Sequence, residues 1–376
     1  MQKFWACILT IGLVFVLSAP APAADKSIEE RVKALEDTIG SWTIYGSARY
    51  QTFYNDKNID ADTDDKDLRW DSAANARLGG KMVKGKISGV YELGLDDDAE
   101  TGVYTRLIYG AYDFGAGTLV IGQDYTPLGS MFYSNQVVLD DNNLLGWGAM
   151  YGSRVPQIKL QMKNGLEVAF VENKSSSMLT ADDGDVDVLM PKLEVRYNLN
   201  SDLFFADVFG GYSSFKVEDI VLVKDGPSYG DETVSSWAIG VGGGLKLDPA
   251  FVRAQVYIAQ NATDAGLSHT DASGAKFDAQ GSVVDEDNFG AHIVVGTMLS
   301  NKYTVEAGFG YVSSEYDESG SDKNTAMSYY LNATIPVYGS FFVVPEIGVL
   351  DYADGADGKD EKKDTTYFGA KWQINF

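Results

Sequence analysis

The chain has 376 residues, with 54 Asp and Glu against 30 Lys and Arg, a formal net charge of −24. That balance is the reverse of the basic footprint that nucleic acid requires, so nucleic acid is excluded as a partner. The one cysteine, Cys7, lies in an N-terminal apolar run, and the only histidines are His269 and His292. A disulfide framework and a thiolate or histidine metal site are excluded with them, and no cofactor is expected.

Lys3 is followed by an apolar run from Phe4 to Ala19 and then by Ala21-Pro22-Ala23. A charged start, an apolar centre and a small-x-small site predict a secretory signal over residues 1–23, cleaved near Ala23. No comparably long apolar run follows, which excludes a helical membrane protein. Residues 24–40 read as a periplasmic helical segment. Ile28, Val32, Leu35 and Ile39 are spaced 4, 3, 4, Ser27 with Glu30 forms a capping box, and Gly40 sits at the C-cap position. Such a helix either packs on the body of the protein or bundles between subunits, because fewer than two heptads cannot stand alone.

From Ser41 to Phe376 everything reads as strand and turn. Strands are expected near 41–54, 70–84, 86–96, 102–114, 117–125, 150–163, 165–173 and 187–199. The second half gives 202–215, 233–247, 250–261, 286–300, 302–316, 324–336, 340–352 and 364–376. Short turns such as Lys84-Gly85, Asn164-Gly165 and Asp248-Pro249 alternate with long loops, several of them acidic. Val217 to Val223 is a candidate loop hairpin. Sixteen strands with alternating long and short connections predict an all-β fold, a transmembrane antiparallel barrel that is a single domain. Parity sorts the side chains. Ala74, Ala76, Leu78, Gly80 and Met82 should face lipid, with Asn75, Arg77 and Lys81 in the lumen. Ile87, Tyr91, Leu93 and Leu95 should face out and Glu92 in; Phe289, Ala291, Ile293, Val295 and Leu299 out and His292 in. A charge at the lipid midplane costs roughly 2–4 kcal/mol, which enforces the sorting. A polar lumen in so wide a barrel implies a water-filled channel.

One connection breaks the pattern. Residues 126–149 are long yet apolar and aromatic, with Leu128, Met131, Phe132, Tyr133, Val137, Val138, Leu139, Leu144, Leu145 and Trp147. Such a loop should fold inward and pack on the wall, with Leu128, Phe132 and Tyr133 as packing candidates and its only charges, Asp140 and Asp141, in the lumen. The final strand alternates strictly, setting Phe368, Ala370, Trp372, Ile374 and Phe376 against Tyr367, Gly369, Lys371, Gln373 and Asn375. A strand ending on a bare aromatic suits an interfacial belt, and Trp372, Ile374 and Phe376 are the candidate C-terminal assembly signal.

Several segments together resemble the general trimeric porins of Gram-negative outer membranes. They are Ala76-Arg-Leu-Gly-Gly-Lys81, Thr105-Arg-Leu-Ile-Tyr-Gly-Ala-Tyr112, the run from Gly117 to Leu128, Ser153-Arg-Val-Pro and the terminal Phe376. The resemblance implies a sixteen-stranded homotrimeric barrel in the bacterial outer membrane, narrowed by its third long loop. It further implies loop carboxylates facing a ladder of wall arginines. Matching by motif places Arg77 and Arg106 in the ladder and Asp140 and Asp141 on the loop. Arg154 matches but shares parity with the lipid-facing Ile158, Leu160 and Met162. Arg49 and Lys159 are inward on parity alone. The Pro-Glu-Phe-Gly-Gly-like stretch common in the family's loop is missing.

The expected function is passive diffusion of ions and small hydrophilic solutes, with mild cation preference from the acid excess. The expected partners are outer-membrane lipids, lipopolysaccharide and copies of the chain itself. The alternatives are a substrate-selective channel, with Phe132, Tyr133 and Trp147 as a slide for sugars or aromatics, and a closed barrel serving as adhesin or anchor. An enzyme is not expected, since His292 has no evident serine partner. Asp60, Asp62 and Asp64 imitate a calcium loop, but Asp65 replaces the required glycine.

Overall fold

In the computed structural model the described residues are 27–60, 63–95, 102–173, 186–188, 190–224, 226–300, 302–352 and 364–376. The expected signal segment and the acidic runs at 96–98, 182–185 and 354–363 lie outside them. Among the described residues, eighteen strand segments join in one antiparallel sheet. Two of these are outer extensions. Thr63–Ser72 pairs with the far half of Ser41–Asp60, and Val186–Asp187 with the far end of Phe204–Val217. The other sixteen are the staves of a barrel. It closes where Ser47 to Lys57 pairs with Asn375 to Thr365. No helix among the described residues is long and apolar enough to cross a membrane.

Parity drives this architecture. Residues such as Ile108, Ile121, Ile239, Ile293, Val295, Leu331 and Ile347 are exposed on the outer face. Their inward neighbours His292, Val294, Glu306 and Glu346 are buried within the lumen. A soluble protein would invert that order. The outer positions expected for Ile87, Tyr91, Leu93 and Leu95 hold, as does the inner one for Glu92. Ala74 and Ala76 do not face lipid. A turn over residues 73–76 interrupts the stave between Thr63–Ser72 and Arg77–Lys84, and Ala73 and Ala76 are buried. The candidate hairpin near Val217 to Val223 exists as a bridge between Val221 and Ser228.

The wall is uneven. From Arg77–Lys84 through Ile87–Leu95, Val103–Asp113, Gly117–Tyr125, Arg154–Met162 and Leu166–Val171 to Lys192–Asn200, staves have 6 to 11 residues. From Phe204–Val217 round to Thr365–Asn375 they have 11 to 16, and Ser41–Asp60 has 20. We call these the short and long arcs.

At the other end of the barrel, helix α1 (Ile28–Ile39) has the expected capping box. Glu30 N donates to Ser27 Oγ at 3.2 Å and Ser27 N to Glu30 Oε2 at 3.0 Å. Its apolar stripe is not packed on the barrel; the helix buries none of its residues. Lys84 Nζ ties it to the rim by donating to Thr38 O at 2.7 Å. The last residue is bonded into the first stave, Gly46 N donating to Phe376 O at 2.8 Å and Phe376 N to Gly46 O at 3.0 Å. Trp372 and Ile374 face outward.

Candidate channel neck

After Gly117–Tyr125 the chain turns into the lumen through the buried 3₁₀ turn Pro127–Gly129. An inward loop outside regular structure brings backbone N–H groups that need acceptors. Wall carboxylates on the long arc and its flank supply them. Leu128 N donates to Glu194 at 3.0 Å, Asn135 N to Glu306 at 2.6 Å, and Val137 and Val138 N to Glu346 at 2.8 and 3.0 Å. Bonds to an ionised acceptor are the stronger kind. Gln136 Nε2 adds Ser328 Oγ at 2.8 Å and Tyr367 Oη at 3.0 Å, and Tyr133 Oη donates to Asp207. Apolar contacts complete the seat. Leu128, Met131 and Tyr133 join a cluster with Phe209 and Tyr257, while Val137, Val138, Leu144 and Trp147 join one with Phe53, Val312, Tyr330 and Val344.

At its tip the loop makes one left-handed turn over Val138–Asp141. Leu139, Asp140 and Asp141 have φ of 50°, 62° and 66°. Left-handed backbone costs roughly 1–2 kcal/mol per non-glycine residue, so this turn persists because its surroundings fix it. Those surroundings are cationic. Asp141 is held by Arg49 and Lys371, which lie on the two staves that close the barrel. Asp140 accepts from Arg69 at 3.1 Å and from Ala74 N at 3.1 Å, and its carbonyl from Asn75. Burial raises the Asp140 carboxyl above its usual range, and Arg69 works against that rise.

The return arm touches the wall through glycines. A Cβ on Gly310 would lie 1.8 Å from Trp147 O, and one on Gly148 (φ +103°) 2.1 Å from Ala291 O. Only the missing side chains allow that approach. His292 Nδ1 lies 3.0 Å from Gly148 O, consistent with its inward parity.

The short arc carries a charge cluster of its own, buried and joined to the loop tip through Asn75, whose side chain bonds both Arg106 and the Asp140 carbonyl. Leu107 pairs with Glu92 and Arg106 is the extra residue of a β-bulge there, so that two consecutive residues are buried. Arg106 is 1% exposed and donates to Glu92 Oε1 at 2.7 Å, Asn75 Oδ1 at 2.6 Å and the Tyr104 and Tyr125 hydroxyls. Arg77 reaches the same carboxylate at 3.5 Å. Lys159 pairs with Asp124 at 2.6 Å. Arg154 stacks over the Tyr125 ring at 5.5 Å, one step from Arg106 through the Tyr125 hydroxyl.

The expected set is paired differently from the expected loop-to-ladder arrangement. Arg77 and Arg106 face Glu92 rather than the loop acids, and Arg49, inward on parity alone, is the arginine that holds Asp141. Of the proposed aromatic slide, Tyr133 and Trp147 are buried in the loop's seat and Phe132 alone is exposed, its ring 5.6 Å from Tyr125. Arg69, Lys371 and Glu92 complete the site and were not singled out in the sequence. Lys371 and Glu92 had the right parity, whereas Arg69 lies above a turn that breaks it.

No family model matches this chain, and no curated protein matches its sequence. Solved structures do match in fold. The outer membrane channel DcaP of Acinetobacter baumannii superposes with a TM-score of 0.68 at 17% identity, covering 89% of this chain and 97% of that one. The trimer form of OmpT, an outer membrane protein of Vibrio cholerae, gives 0.57 at 15%, covering 89% and 99%. The anion-selective porin from Comamonas acidovorans gives 0.57 at 13%, covering 89% and 99%. At these identities the likeness establishes the fold, which is that of the outer-membrane porins.

Proposed function

We propose that the chain is an outer-membrane porin, a non-enzymatic channel for passive diffusion of ions and small hydrophilic solutes. The observation that carries this reading is the division of the lumen. An inward loop seats mainly on the long arc, while a separate cluster of paired charges, Arg77, Arg106 and Glu92, lies on the inner face of the short arc. A barrel of sixteen staves is wide enough for water beside such a loop. The path then runs between the loop face around Phe132 and Asp140 and the wall around Arg77. Opposed charges there set a transverse field that orients dipolar solutes and hinders apolar ones.

Ion preference follows from two zones. Acidic loops in a chain of net charge −24 concentrate cations at the mouth. At the neck Asp140, Asp141 and Glu92 are outnumbered by Arg49, Arg69, Lys371, Arg77 and Arg106, so the neck itself does not favour cations. Mild cation preference is therefore a property of the mouth, and it should shrink at high salt, where charges beyond about 3 Å are screened at 1 M.

A homotrimer is the proposed assembly. Two staves of the short arc, with 8 and 6 residues, fall below the roughly 9–11 that a tilted span needs, which favours cover by protein over lipid there. The exposed stripe of α1 would meet its copies in the periplasm, with lipids and lipopolysaccharide around the long arc. Liposome swelling tests the whole reading. Vesicles carrying the folded protein should swell in small sugars at rates that fall with solute size. Rates equal to protein-free vesicles would reject it.

A further inference from the structure

A second segment enters the lumen, and the channel reading does not account for it. Residues 261–285 join Ala250–Gln260 to Glu286–Leu299. A loop rich in Ala, Ser, Gly and Asp, with only Leu267, Phe277, Val283 and Val284 as large apolar residues, would be expected to stand in solvent. Instead Ala262, Ala265 and Leu267 are buried in the same cluster as Leu128, Met131 and Met150 of the first inward loop. The two loops are also bonded through their backbones. Ser268 N donates to Tyr151 O at 3.0 Å and Thr270 N to Gly146 O at 2.8 Å, with a parallel bridge between Gly146 and His269. The second loop therefore lies across the return arm of the first, Gly146 to Tyr151.

One wall side chain ties both. Lys192, 5% exposed, donates through Nζ to Ala265 O at 2.7 Å and pairs with Glu194 at 3.0 Å. Glu194 in turn accepts from Leu128 N, where the first loop enters the lumen. A buried ammonium is retained only where its donors are satisfied, and here they are satisfied by one element of each loop's support. The root of the second loop is equally fixed. Asn261 side-chain atoms bond Ser235 O, Asp285 and Glu286 N, and Glu286 accepts from Ser273 and Gly274 N.

We infer that residues 261–285 form a second pore-restricting element, which holds the return arm against the wall and narrows the path above the neck. Lys192 is its positioning residue. The inference rests on the channel reading, and its test separates the two. In the full chain, Thr263 to Asp271 is replaced by a short Gly-Ser linker, and Lys192→Met and Lys192→Arg are made alongside. Single-channel conductance and the largest neutral polymer that enters are measured on heat-modifiable protein, with hydrogen exchange over Trp147 to Tyr151 as a readout that needs no current. The linker variant should show a higher conductance, a larger size limit and faster exchange. Lys192→Met should flicker between the wild-type and enlarged levels, and Lys192→Arg should restore the wild-type trace. Unchanged conductance, size limit and exchange in a folded linker variant would overturn the inference. A silent wild type whose exchange still responds would overturn the channel reading and leave the clamp between loops standing.

Discussion

The two arcs of the barrel wall solve different problems with the same residue types. On the long arc, Glu306 and Glu346 are spent on loop backbone, and Tyr330, Tyr367 and Val344 bury the loop's apolar side. On the short arc, Glu92 accepts from Arg106, Arg77 and the Tyr45 hydroxyl and from no loop N–H among the described residues. A buried carboxylate that binds peptide N–H groups fixes a loop, whereas one that binds guanidinium groups holds a paired charge in the wall. The lesson is that position relative to the loop, more than charge, separates scaffold from path.

The comparison can be broken most forcefully on the long arc. Leu144→Asp places a carboxylate at a site with no exposure, at a cost on the order of several kcal/mol. The loop should leave its seat, which would appear as a lower heat-modification temperature and noisy current. On the short arc, Arg106→Ala leaves Glu92 with its longer contacts to Arg77 and Tyr45 alone. Loss of one buried partner typically costs about 3–5 kcal/mol, and the remaining contacts place this change at the lower end. Thermal unfolding of the detergent-folded protein reads that loss.

A pH dependence sharpens the picture for the second loop. Burial, with Glu286 and Asp285 nearby, pushes the Asp264 carboxyl up to about 6, against a bond from Ala275 N. A folded value above the unfolded one means docking is strongest below about 4 and weakens as pH rises through 6. Protection factors over residues 262–275, which remove the intrinsic pH dependence of exchange, should therefore be higher at acid than at neutral pH, by up to about two orders of magnitude. Asp264→Asn should remove the difference. Arg77→Ala is smaller in stability, because its carboxylate contact is long at 3.5 Å. Its expected signature is a reversal potential shifted toward cations with little change in unfolding. The smallest effect concerns α1: deleting Ser27 to Ile39 should weaken heat-resistant oligomers on a native-style gel and leave the barrel's own unfolding unchanged.

Much of the fold was legible because a barrel in lipid enforces period two, as Ile293 and Val295 against His292 and Val294 illustrate. The inward loop was legible from apolar content no solvated loop would carry. What parity could not reveal were its local failures. The bulge at Arg106 and Leu107 buries two consecutive residues, and the turn over Ala73 to Ala76 brings Ala74 N to Asp140. Nor could spacing reveal that Asp141 meets Arg49 and Lys371, which are far apart in the chain and joined only by closure of the barrel. The second inward loop was hidden by its composition. Only Leu267, Phe277, Val283 and Val284 hinted at a buried course.

Planar-bilayer current across a potassium chloride gradient tests the central claim most directly, namely that solutes pass between the seated loop and the short arc. Wild-type protein should open in groups of three steps with a reversal potential mildly favouring potassium. Arg77→Ala should enhance that preference at unchanged fold. Folded, heat-modifiable protein that stays silent, or a reversal potential indifferent to Arg77, would contradict the account.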